Sequence, residues 1–426
     1  MIERLMLIVR MALRNLRRQL RRSLLTASAM VLGIGLLMFI RALEGGAHLM
    51  YVETATRMGT GHIAMEHPDY MGSQDLADRI AAADLERAFR AVEETARPEE
   101  LLAVFPQVNV GGLAQSASSS IPVRIGGVDP ELERDVSFLA DRVVEGRYLQ
   151  PGDRLEGIVG VGVAERLRLE LGSRLVLMAA GAGGDLESQL VLVTGIFRTG
   201  VPEVDRGVVQ LPISTAREWL GLGDDATSMS VILASDDRTG SIADAVRERL
   251  RDEGVDADRI AVRPWWEAMP DLHAGLRADA VQTYVMLVIL LGIVALAVVN
   301  SVLMAVLNRT REFGVMRALG LNRASVGAMV MVEGVILTFA SGLLGMLLGL
   351  VISMGLFRDG VDISWLFGGD LAFAGAIVDP VITPAVLTVD VVAILSIVMT
   401  IGILASLYPA WHATRIEPAE AMKTDA

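Results

Sequence analysis

The chain has 426 residues, 52% of them hydrophobic and 21% charged, with a net charge of −13 and a mean hydropathy of +0.48. That balance is too apolar for an ordinary soluble protein and too charged for one buried wholly in lipid, so it predicts a few membrane spans plus a soluble domain. The absence of cysteine excludes disulfides, thiolate metal sites and a cysteine nucleophile, and the acidic balance argues against nucleic acid as a partner.

In chain order, residues 1–23 come first, with Arg4, Arg10, Arg14, Arg17, Arg18, Arg21 and Arg22 set against Glu3 alone. They read as a basic N-terminal helix. A span needs about 20 mostly apolar residues, and 24–43 is the first segment to qualify. It is too long for a cleavable signal, and no A-x-A site follows Arg41 and Glu44. It reads as a retained anchor, with Arg41 snorkelling at its end.

Residues 44–280 are long enough to bury a core of their own, as one body or two subdomains. Within them, 45–280 hold 39 acids against 23 arginines. Apolar residues recur at helical spacing over 74–96 (Leu76, Ile80, Leu85, Phe89, Val92) and 240–253 (Ile242, Val246, Leu250). Between these helices lie alternating, β-like runs at 103–112, 120–128, 157–163, 173–180, 189–197, 207–213 and 228–235. An α+β domain follows from this pattern, with a hairpin tip at 181–185 (GAGGD) and a flexible loop at 115–120 (QSASSS). His62 and His67 read as surface histidines beside a turn, not as metal ligands. GVGVA at 160–164 lacks the third glycine of a dinucleotide fingerprint and reads as a strand-to-helix turn. With no catalytic constellation in view, neither enzymatic activity nor a resident cofactor or metal is expected.

Three more spans follow, at 281–307, 326–353 and 389–408. Orientation is read from basic residues in short loops. The 308–325 segment holds Arg309, Arg311, Arg317 and Arg323, whereas the 354–388 loop holds Arg358 with Asp359, Asp362, Asp370 and Asp379. The leader, 308–325 and the 409–426 tail are therefore expected in the cytoplasm, and 44–280 and 354–388 outside. In the third span Glu333 is an intramembrane acid about two turns from the cytoplasmic end, within reach of water and Arg323. Gly334, Thr338, Ser341, Gly345 and Gly349 form a small-residue stripe suited to close helix contact, expected against the second or fourth span.

The 308–325 segment is the most informative. Phe313, Met316 and Leu319 fall at i, i+3 and i+6 and share an apolar face, with Arg311, Glu312 and Arg317 polar and Gly320 and Asn322 ending the helix. Two readings fit: a helix docking into a cleft on a motor subunit, and an amphipathic helix lying on lipid. The chain's single lysine is Lys423, in the tail. No Gly-rich loop precedes it, so a P-loop for ATP is not found here.

The string RTREFGVMRALG at 309–320, preceded by Asn300 and Asn308, strongly resembles the coupling-helix signature of the FtsX-like permease family. Pro409, Ala410, Ala413, Pro418 and Ala421 match that family's closing motif, with His412 replacing its common arginine. EGRYLQPGD at 145–153, GIVGVGVAERLRLELGSRLVL at 157–177 and VTGIF at 193–197 resemble the MacB-type periplasmic core domain. The resemblance covers most of the chain. It implies four transmembrane α-helices with a large α+β extracytoplasmic domain between the first and second. It also implies a mechanotransmitting ABC permease of the bacterial inner membrane, paired with a second permease copy or paralogue. Two separate ABC ATPase subunits would bind ATP and Mg, and contact them through Arg311, Glu312, Phe313, Gly314, Met316, Arg317, Leu319 and Gly320. Within the family the chain looks like the LolC/LolE-like branch, which implies lipoprotein cargo. For such cargo the acyl gate is expected between Met38, Phe39, Leu43 and Met50 on one side and Tyr284, Val285 and Val288 on the other, flexible methionines suiting varied chains. The alternative functions are control of a cell-wall hydrolase and export or sensing of peptides.

Overall fold

The computed structural model describes residues 20–362, 371–373, 376–378 and 381–415. The basic leader up to residue 19 and, in the tail, Pro418, Ala421 and Lys423 lie outside the described residues. The chain divides into two compact units: a membrane unit (Met1–Leu49, Arg277–Ile363, Val381–Ala426) and an α+β unit (Met50–Leu276, Ser364–Pro380).

Helix α1 (Leu20–Ala55) ends in the wide turn Thr56–Thr60, where Gly59 adopts φ 125°, a backbone open to glycine alone among common residues. The α+β unit then runs β1 (Ile63–Glu66), α2 (Ala82–Thr95), β2 (Leu101–Gln115), β3 (Ser120–Val128), β4 (Val143–Gly146) and β5 (Glu156–Gly160). It continues through α3 (Val161–Leu167), β6 (Arg174–Ala180), β7 (Leu186–Phe197), β8 (Val208–Pro212) and α4 (Ile213–Leu220). It closes with β9 (Ser228–Leu233), α5 (Thr239–Asp252) and β10 (Ala261–Pro264). The strands are ordered β10-β1-β9-β2-β3-β8-β5-β7-β4, with β6 pairing β2 and β7.

The unusual length of β2, 15 residues, joins two subdomains. Its first half pairs with β9 and its second half with β3 and β6. The first subdomain is β1-α2-β2-β9-α5-β10, a split β-α-β arrangement. Its core is formed by Leu85, Ala88 and Val92 of α2 and Ile242, Val246 and Leu250 of α5, packed on Ile63, Met65 and Val231. The second subdomain is inserted between the second and third strands of the first, around Val110, Ile125, Val159, Leu175, Val191 and Leu211.

Each alternating run holds a strand, the one at 157–163 turning helical from Val161, and Gly181–Asp185 closes the β6–β7 hairpin through the Gly181 amide and the Asp185 carbonyl at 2.8 Å. The QSASSS stretch is a tight hairpin turn instead of a loose loop, closed from the Ser116 amide to the Ser119 carbonyl at 2.9 Å. The helix read over 74–96 starts only at Ala82. There the Asp225 carboxylate accepts from the Ala82 amide at 2.9 Å, a cap supplied from far along the chain. Ile80 instead bridges Ala226, and Leu76 belongs to the second subdomain's core. β1, β4 and β10 escape prediction because four residues are too few to show alternation.

The membrane unit completes α1 with α6 (Pro270–Leu307), α7 (Thr310–Ala318), α8 (Arg323–Val351) and α9 (Thr388–Thr414). α1, α6, α8 and α9 are long and apolar enough to cross a membrane. The small residues of α8 set its neighbours. Gly334 meets Ser406, and Thr338 meets Gly402, both on α9. Towards its other end, Gly345 meets Ile34 and Gly349 meets Met38, so a Cβ on Gly349 would lie 2.6 Å from that of Met38. The stripe thus packs within the subunit, as expected, but Gly345 and Gly349 serve α1, a partner the spacing did not indicate. Close backbone approach through such residues takes the place of the hydrophobic effect inside lipid.

Candidate coupling site

After α6 the chain breaks at Arg309, whose backbone (φ −119°, ψ 19°) leaves the helical region before the nine residues of α7 begin. The Arg309 side chain turns inward and is 6% exposed. Its Nη1 donates to Glu333 Oε2 of α8 at 3.1 Å and its Nε to Glu312 Oε2 of α7 at 3.0 Å. The guanidinium also lies over the Phe313 ring, 5.3 Å from its centroid. One cation thereby pins a short helix to a spanning helix. Glu333 is answered by Arg309, not by Arg323, which is exposed at the start of α8. Removing one partner of such a buried pair costs about 3–5 kcal/mol, because the other charge is left uncompensated.

Phe313 is fully buried, in a cluster with Val306, Val326, Met329, Val330 and Ala413. Met316 packs against the same cluster, but Leu319 is 84% exposed. The expected single apolar face therefore fails at its third member. α7 ends at Ala318, and Gly320 at φ 97° reverses the chain, so Leu321 packs inward in its place. Asn322 does not terminate α7. It caps α8, its side chain accepting from the Ala324 amide at 3.4 Å. The outward side of α7 carries Arg311, Glu312 and Val315, with Leu319 exposed just past its end, while Gly314 is buried and Arg317 half-buried. The face turned to the bundle is the one read from the sequence as facing a partner.

The closing motif supports the same corner. Pro409, Ala410 and Ala413 are buried within α9, and Gly327 of α8 abuts Ala410 and Thr414 so closely that a Cβ there would lie 2.7 Å from Thr414 Cγ2. At the opposite end of the bundle Arg41 does not snorkel. It donates to Asp390 of α9 at 2.9 Å and to Glu44 at 2.5 Å. The Ala385 amide donates to the Ala42 carbonyl beside it at 2.8 Å.

The expected gate is not assembled. Met38 is buried against Gly349 of α8 and Phe39 meets Phe357, just beyond the end of α8, ring centroids 5.3 Å apart. Leu43 and Met50 are half-buried. Tyr284, Val285 and Val288 stand 57–67% exposed on α6. In the α+β unit His62 is not a surface residue: it is buried, accepts from the Leu233 amide at 3.2 Å and is held below its usual pKa by desolvation. His67 lies 3.7 Å from Asp78 and 4.0 Å from Asp69.

Arg309 is the residue that sequence reading missed, since Arg309 and Arg311 look alike in the string. The available signal was Glu333, a lone acid in an apolar stretch, which requires a cation nearby.

Residues 284–418 match the model of the FtsX-like permease C-terminal family, and residues 23–249 match that of the MacB-like periplasmic core domain. The chain is 26% identical over 331 residues to the lipoprotein-releasing system transmembrane protein LolC of Neisseria meningitidis, covering 76% of this chain and 78% of that one. It is 25% identical over 425 residues to the macrolide export ATP-binding/permease protein MacB of Nitrobacter winogradskyi, covering 94% and 58%. It is also 23% identical over 436 residues to an uncharacterized ABC transporter permease, YknZ, of Bacillus subtilis, covering 97% and 98%.

Proposed function

The chain belongs to the FtsX-like ABC transporter permeases with a MacB-like periplasmic core domain, and from that premise we propose that it is the membrane subunit of an exporter that releases lipoproteins from the bacterial inner membrane. The observation carrying the cargo is the likeness to LolC across three-quarters of both chains. In this reading two ABC ATPase subunits sit against a pair of permeases and bind the ATP and Mg, and this chain hydrolyses nothing. Its termini and α7 lie in the cytoplasm, an orientation that the arginines of the leader and the 308–325 segment support.

The outward face of α7, with Arg311, Val315 and Leu319, is the docking surface for the ATPase. Movement of α7 reaches α8 through Arg309 and Glu333. The geometry supports transmission because the pair ties the start of α7 to α8 well beyond the four-residue turn that joins the two helices. Depletion of the chain in its native host should leave triacylated lipoproteins in the inner membrane, read by density fractionation and immunoblotting. Unchanged lipoprotein sorting would overturn the cargo assignment. The likeness to MacB over 94% of the chain favours export of a macrolide-like small molecule as the second reading, and normal sorting with lost export would select it.

A further inference from the structure

A cleft of about 950 Å³ opens in the α+β unit where the two subdomains meet along β2, the size class of ligand pockets. Its floor is a row across four neighbouring strands: Ser228 of β9, Asn109 of β2, Gly126 of β3 and Gln210 of β8. Asn109 Nδ2 donates to Ser228 Oγ at 3.4 Å. Gly126 has no side chain, so between the carboxamides of Asn109 and Gln210 the sheet backbone lies bare. A Cβ placed on it would stand 3.7 Å from Asn109 Oδ1 and 3.6 Å from Gln210 Cγ.

Gln210 is the decisive residue. It is 8% exposed, and its Oε1 is closed off with no hydrogen-bond partner. A buried carbonyl left unpaired costs stability, and native proteins keep few such atoms. The carboxamide nitrogen, Nε2, stays open to the cleft and is a donor for a backbone carbonyl. Above the floor Arg124 is exposed and has no acidic partner among the described residues. Glu66, on the same lining, is occupied by Arg263. Met58, Met71 and Met269 supply adaptable apolar walls.

We propose that this cleft binds an extended peptide segment bearing an acidic side chain, one of its backbone carbonyls accepting from Gln210 Nε2 and its carboxylate met by Arg124. The site is separate from the coupling helix and does not depend on the identity of the cargo.

The test uses the full chain in nanodiscs and three fluorescein-labelled hexapeptides with the same apolar residues, carrying two aspartates, two serines or two lysines. Fluorescence anisotropy should rank them acidic, neutral, basic. Arg124→Ala should weaken the acidic peptide about tenfold, the loss of one charge-assisted contact, and bring it level with the neutral one. Gln210→Met should weaken acidic and neutral peptides alike while raising the melting temperature of the unliganded chain, because the unpaired oxygen is gone. A purely structural amide would give the opposite thermal shift. Equal binding of all three peptides, no binding of any, or a preference for the basic peptide governed by Glu203 on the same lining would each overturn the proposal.

Discussion

Glu333 of the membrane unit and Glu133 of the α+β unit are both largely withdrawn from solvent, and they are accommodated in different ways. Glu333, in the membrane unit, lies beside a buried guanidinium. Glu133, in the α+β unit, is 3% exposed and has no cationic partner among the described residues. The Gln107 amide donates to it at 3.0 Å and the Asp129 backbone N–H at 3.1 Å. Burial pushes the Glu133 carboxyl up to about 8, outweighing those two donors. One acid is paired with a cation on another helix; the other is kept neutral by its surroundings. The difference teaches which acid can carry force. A charged pair between helices resists separation, whereas a neutral hydrogen-bonded acid fixes a local loop.

The strongest way to break this comparison is Arg309→Ala. It should cost about 3–5 kcal/mol, read as a fall in the thermal midpoint of the purified chain. Pairing it with Glu333→Gln should restore much of the loss, because no unpaired charge remains. A double variant as unstable as the single one would mean that the ion pair is not what holds α7.

Glu133→Gln probes the other side. The folded pKa lies above the unfolded value, so the folded state holds a proton that the unfolded state has released between pH 4.5 and about 8. Stability then falls as pH rises through that window, by roughly 1 kcal/mol per pH unit. The glutamine variant should lose this slope and be the more stable protein at pH 8.5. Melting curves from pH 5 to 9 would check it, and parallel slopes in the two proteins would contradict the assignment.

Arg41→Ala should cost less, about 1 kcal/mol, since its pair with Asp390 is partly open to solvent at 23% and 15% exposure. The smallest effect on stability, and the most specific on function, is expected at α7. Val315→Asp and Leu319→Asp, both on exposed carbons, should leave the melting point within about 0.5 kcal/mol of the parent. They should nonetheless uncouple ATP hydrolysis by the partner from transport in a reconstituted complex. Phe313→Asp should instead destabilise the chain itself. Normal transport by both exposed-face variants would remove α7 from the coupling role.

Much of the architecture was legible because it is periodic. Long apolar stretches announce spans, and alternation announced the central strands of the α+β unit. What escaped depends on partners far away in sequence. The start of α2 is set by Asp225 and the orientation of Arg309 by Glu333. The apolar face of α7 was read correctly at Phe313 and Met316. Its direction was not, because a helix pattern does not say whether its apolar side meets its own bundle or another protein. The stripe on α8 likewise named a packing surface but not that α1 would share it.

The connection between the subdomains has a consequence for how such a unit can be rebuilt. Gln107 and Ser228 face each other as register partners on β2 and β9, so the whole of residues 108–227 leaves and re-enters through two adjacent strand positions. The second subdomain is a cassette with neighbouring ends. A two-residue turn of the Asn-Gly type could close the gap and leave the first subdomain with its strand order intact. An unrelated domain with adjacent termini could equally be spliced in at the same point. The peptide cleft would vanish with the cassette, since Arg124, Gly126 and Gln210 all belong to it. Specificity at that surface can therefore be exchanged as one block, while the helices that anchor the chain are left unaltered.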